Sequence, residues 1–69
     1  MKLKREGAPI YEKATINSTI RGHVPPGVTQ VYVQFDVDAL DGVGTFWRAS
    51  HHDETFFLTG YLSNDEIAE

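Results

Sequence analysis

From Val28 to Val37 the chain alternates between two kinds of side chain. Val31, Val33, Phe35 and Val37 fall on one side of an extended backbone, and Gln30, Tyr32, Gln34 and Asp36 on the other. A period of two is incompatible with a helix and assigns a half-buried strand, and the β-branched and aromatic content prefers the same conformation. The remainder of the chain has to be accommodated around this segment, which reads as a central strand.

Size limits what that remainder can do. A chain of 69 residues makes one domain with a thin core, since it buries only about 60% of the surface its unfolded form exposes. The sequence has no cysteine, so disulfides and thiolate zinc sites are excluded as supports. A second copy of the chain, or an ion held by other ligands, is left to play that part.

Charge narrows the partners. Ten acidic and six basic residues give a net charge of −4. Four of the six bases, Lys2, Lys4, Arg5 and Lys13, precede Ala14, so the body of the domain is acidic. Nucleic-acid affinity depends on cationic contacts to phosphate, and this distribution argues against such a surface. No apolar run approaches the ~20 residues that span a bilayer, and the N-terminus lacks the apolar core of a signal peptide. A cytoplasmic protein with neither nucleic-acid nor membrane partner is expected.

In chain order, residues 1–6 are polar and read as a flexible lead-in, and residues 7–69 as the single β domain. Gly7-Ala8-Pro9 punctuates the boundary. Alternation resumes from Ile10 to Arg21, but Glu12 falls on the apolar side. That misplacement predicts a bend or bulge there, splitting the segment into two short strands. Gly22 to Gly27, with adjacent Pro25 and Pro26, reads as a loop. Asp41-Gly42 is a tight hairpin signal. It sets Leu40 opposite Val43, Val37 opposite Phe46, Asp36 opposite Trp47 and Arg48 opposite Phe35. With Phe46 inward and Trp47 outward, Arg48 would lie unpaired on the inner face, an expensive position that requires either the end of the strand or a bulge. Ala49 to Glu54 reads as a polar loop and Thr55 to Leu62 as the last strand. The tail has a Ser63-x-x-Glu66 capping spacing and room for one helical or 3₁₀ turn. Four or five short strands with a terminal helical turn predict an all-β fold: a small, partly open, antiparallel SH3-like barrel. A curled sheet completed by dimerisation is the alternative.

Candidate chemistry is sparse. The alternating acids Asp36, Asp38 and Asp41 resemble a calcium loop in composition. An EF-hand, however, needs glycine sixth and glutamate twelfth, where this chain has glycine seventh and Trp47 twelfth. The same Asp-x-Asp-x-x-Asp word is similar to the manganese-ligating strand end of the arginase and agmatinase ureohydrolases. The similarity ends at Gly42, and the large α/β domain of that family does not fit in this length. His51-His52-Asp53-Glu54 with His23 supplies imidazole and carboxylate ligands for zinc or nickel, but adjacent histidines on extended chain point to opposite faces. His23, His51, His52, Asp36 and Asp38 are therefore the candidates for a metal-binding accessory domain. Neither a nucleophile elbow nor a phosphate-cradling glycine loop occurs, so no catalytic residue and no cofactor is assigned.

Surface aromatics remain. Tyr11, Tyr32, Phe57, Tyr61 and Trp47 fall opposite the aliphatic set, and aromatics with arginine are the residues enriched at interface centres. The first reading is a non-enzymatic interaction module that binds itself, as an expected homodimer, or a protein partner, through Tyr32, Trp47, Arg48, Phe57 and Tyr61. The competing reading puts these rings in the core of a thin barrel.

Overall fold

A computed structural model describes residues 1–68. The fold is all-β: β1 (Pro9–Tyr11), β2 (Ile20–His23), β3 (Tyr32–Asp38), β4 (Thr45–His52) and β5 (Phe57–Ser63), followed by a 3₁₀ turn at Asn64–Glu66. One antiparallel sheet runs in the order β2-β1-β5-β4-β3. It curls without closing, as a partly open barrel does. The break expected at Glu12 is real: β1 stops at Tyr11 and the chain returns as β2 after the 12–19 loop.

The register expected across the 38–45 turn is also observed, with Val37 opposite Phe46, Asp36 opposite Trp47 and Phe35 opposite Arg48. The turn itself is wider than a two-residue hairpin. Ala39 N–H donates to the Gly44 carbonyl and Gly42 N–H to the Ala39 carbonyl, leaving residues 40–43 as the loop, with Gly42 at φ +80°. Beyond Phe35 the register shifts so that Val33 faces Ala49. Gln34 is thus the extra residue of a β-bulge, which turns Phe35 onto the same face as Tyr32.

Four details depart from the sequence reading. β3 is an edge strand, not a central one. A half-buried alternation does not distinguish the two positions, but Asp36 and Asp38 suit an edge that must not recruit another strand. Ala49 to His52 belong to β4 and pair with Phe57 to Gly60, cross-strand pairing having overridden their polarity. The inward and outward assignments of Phe46 and Trp47 are exchanged. Trp47 shares the inner face with Leu62, whereas Phe46 is buried on the outer face under Tyr11, Val37 and Tyr61.

The fourth concerns residues 1–4. They sit between two other segments: Leu3 N–H donates to the Thr29 carbonyl and Val31 N–H to Met1, while Lys4 N–H donates to Glu66 and Ala68 N–H to Lys2. Leu3 is buried in the main core. It is the lone apolar residue of a basic run, and the charge around it obscured a polar-apolar-polar strand pattern. Arg5 fastens the segment through a bidentate pair with Glu66, at 2.7 and 2.8 Å. Glu66 therefore does not complete a capping box; Ser63 Oγ caps the turn alone, accepting from Asp65 N–H.

The main core lies on the inner face, where Leu3, Ile10, Val24, Val31, Leu58 and Leu62 meet. Only Leu62 and Val24 are both sizeable and sealed from solvent, so the core is thin, as the length requires. Among the aromatics only Phe46 is buried.

Candidate functional site

The outer face of β3, β4 and β5 gathers most of the sequence-predicted partner residues. Opposed residues share a face, so the ladder reads Tyr32–Ser50–Thr59, then Phe35–Arg48–Tyr61, then Val37–Phe46–Ser63, with His52 beside Phe57 at the far end. Tyr32 is 67% exposed, Phe57 70% and Phe35 50%. Such large rings left open on one face are unusual for a surface that meets only water.

Arg48 is the centre of this ladder. Its guanidinium carbon lies 5.1 Å from the centroid of the Tyr61 ring, a cation–π stack. The charge that the sequence placed on the inner face is thereby carried on the outer one, half-buried over an aromatic. Tyr61 in turn packs on the small cluster of Ala14, Ala39 and Phe46, where Tyr11 meets Phe46 edge-on at 6.0 Å.

A groove of about 390 Å³ runs beside this stack, within the range of pockets that accept small ligands or peptide side chains. Arg48, Tyr61 and Val37 line it from the sheet, Glu12, Lys13 and Ala14 from the 12–19 loop, and Asp38 and Leu40 from the start of the 39–44 turn. Its walls are tied together, because Leu40 N–H donates to the Ala14 carbonyl at 2.8 Å. Five residues of the groove belong to no site expected from the sequence, Glu12, Lys13, Ala14, Val37 and Leu40, and Phe35 beside it had been assigned to the core. Only the expected pairing of Phe35 with Arg48, and the conflict it created, signalled that Phe35 faces outward.

Trp47 does not join the other four partner candidates. It packs against the inner cluster and its indole N–H donates to Asn64 Oδ1 at 2.9 Å.

The metal candidates are dispersed. His23 lies on β2, opposite Pro9, whereas His51 and His52 end β4 on opposite faces and Asp36 and Asp38 lie on β3. Among the described residues no three histidine or carboxylate side chains form a group that would hold a metal ion. His51 Nε2 lies 3.6 Å from Asp53 Oδ2. The Asp53 carboxyl is held below its ordinary range, first by the Thr55 backbone N–H that donates to it, with the Thr55 hydroxyl and His51 adding to the effect. That arrangement shapes the 53–56 turn between β4 and β5. Glu66 is likewise lowered, chiefly by the hydrogen bonds from Arg5.

Comparison of the chain with protein-family models, curated proteins and solved structures finds no match.

Proposed function

We propose that this chain is a non-enzymatic interaction module that binds a protein partner, a second copy of itself included, through the outer face of β3, β4 and β5. The observation that carries the reading is the single ladder on which Tyr32, Phe35 and Phe57 stay at least half exposed around the Arg48–Tyr61 stack. Aromatics and arginine at the middle of a patch are the usual anchors of an interface. Ser50 and Thr59 lie on the same face between Phe57 and the Arg48–Tyr61 pair and add polar contacts within the patch.

An SH3-like arrangement is part of the same proposal. It is supported by the 3₁₀ turn that follows β5 and by the pairing of Ile67 and Ala68 with residues 2–3, which seals one side of the curl. A cytoplasmic setting is part of the same proposal; among the described residues no helix is long and apolar enough to cross a membrane.

The test is a Tyr32→Ser, Phe57→Ser double variant, followed by solution mass from light scattering and by thermal unfolding. Exposed rings removed from a free surface change stability by no more than about 0.5 kcal/mol each. The wild type is expected to show a concentration-dependent mass that the variant loses, or a partner complex that the variant does not form, with unfolding unchanged. Loss of several kcal/mol of stability in the variant would show that the rings belong to the fold and refute the reading.

A further inference from the structure

We propose that the groove beside Arg48 accepts an extended peptide segment carrying a single acidic side chain among apolar ones, with Arg48 engaging the carboxylate. The proposal rests on the reading of the outer face as an interaction surface and narrows it to one partner chemistry.

The first support is an unmatched charge. The chain has ten acids to six bases, yet no carboxylate among the described residues lies within ion-pair distance of Arg48; the pairs formed are Arg5–Glu66 and His51–Asp53. No side-chain N–H of Arg48 has an acceptor among the described residues either. A partly buried guanidinium whose donors meet only solvent is free to take an anion that arrives from outside.

The second support is preorganisation. Tyr61 lies under the guanidinium, and Phe35 stands across the ladder from it. The contact with Tyr61 limits the freedom of the Arg48 side chain, and a guanidinium offers the fork of donors that can bind a carboxylate with two parallel hydrogen bonds. A lysine at this position would provide charge without the fork.

The third support selects among anions. Lys13 on the groove wall adds a second cation, but Glu12 and Asp38 line the same groove. A phosphate or a nucleic-acid backbone, with its denser negative charge, meets stronger like-charge repulsion from these two than a single carboxylate does. Val37 and the exposed Leu40 line the same groove and offer apolar contact, so the acidic residue should have apolar neighbours. A peptide in extended form suits a surface made of strands.

The experiment is selection of a displayed random-peptide library on the intact chain, with counter-selection on Arg48→Gln and on the Tyr32→Ser, Phe35→Ser variant. Enriched peptides are then synthesised with the acidic residue as Glu or Gln and with free or amidated C-termini. Enriched sequences should share one Asp or Glu flanked by apolar residues. The Gln forms should bind about tenfold or more weakly, as loss of a charge-assisted hydrogen bond implies. Arg48→Gln should abolish the difference between Glu and Gln forms, Arg48→Lys should retain part of it, and amidation should leave affinity unchanged. Binding should also shift the Arg48 side-chain Nε–H resonance.

Several results overturn the proposal: enrichment of peptides without an acidic residue, equal binding of Glu and Gln forms, full retention by a folded Arg48→Gln variant, dependence on the C-terminal carboxylate, or recovery of no binder. Acid-free binders that are lost on Tyr32→Ser, Phe35→Ser would overturn it while leaving the outer-face reading intact. Binders lost on neither variant would remove both.

Discussion

Gly60 is the point at which β1 is set down on β5, and its replacement by alanine tests the account of the fold most directly. A Cβ at position 60 would lie 2.5 Å from the Tyr11 carbonyl oxygen and 2.7 Å from Ile10 Cγ2. Neither neighbour has an easy escape. The first is backbone in the strand that pairs through Tyr11 and Tyr61, and the second belongs to a side chain only 2% exposed. β1 would have to retreat by most of an ångström to reach ordinary contact. Overpacking of this kind costs about 1–3 kcal/mol, and the joint between β1 and β5 weakens with it, which places the expectation near the top of that range. A domain of this length has only about 3–10 kcal/mol to lose, at ~0.05–0.15 kcal/mol per residue.

The assay is urea unfolding followed by Trp47 fluorescence. With a slope of about 1 kcal/mol per molar, Gly60→Ala should lower the midpoint by ~2–3 M, and melting should fall by roughly 10–20 °C. Gly42→Ala is the control. It meets open space but sits at φ +80°, so the expected penalty is only the left-handed strain of about 1 kcal/mol. If Gly60→Ala cost no more than Gly42→Ala, the close approach of β1 to β5 would not be what fixes the curl, and the reasoning would fail.

Two further perturbations examine the seam that residues 1–4 form. Leu3→Ala removes a buried side chain of the main core and should destabilise by about 2–5 kcal/mol, measured by the same unfolding curve; an effect under 0.5 kcal/mol would mean that the segment is not part of the folded unit. Glu66→Gln removes the partner of Arg5. Because the folded-state pKa of Glu66 is lowered, its stabilising effect is present above the ordinary carboxylate range and disappears as pH falls through the lower, folded-state value. Melting of the variant should therefore lie a few degrees below wild type at pH 7 and converge with it in acid, and a gap that persists in acid would assign the loss to something other than the ion pair.

Most of the strand plan was legible because it depends on local alternation and turn chemistry. Asp41-Gly42 and the alternation on either side fix the β3–β4 register, and the misplaced Glu12 marks where β1 ends. Long-range facts were not legible. Whether β3 lies at the edge depends on where β1 and residues 1–4 dock, and no local pattern in β3 reports that. The extent of β4 through Ser50, His51 and His52 depends on pairing with Thr59, Leu58 and Phe57, partners separated from them by the turn, so composition alone reads them as loop.

The site was legible in part, for a related reason. Arg48 opposite Phe35 was an inconsistency as long as Phe35 was placed in the core. The bulge at Gln34 resolves it by reversing the phase of β3 midway: Val31 and Val33 enter the inner core, while Phe35 and Val37 turn outward beside Arg48 and Tyr61. One extra residue thus divides a strand between building the core and building the groove. The other wall of that groove depends on Gly60, because only the close seating of β1 brings the 12–19 loop over Tyr61, and the Leu40–Ala14 hydrogen bond then fixes it there. The outer face is consequently coupled to the fold at two positions, Gln34 and Gly60, neither of which lines the groove. Substitutions at either should alter the orientation of Arg48 before they alter its chemistry.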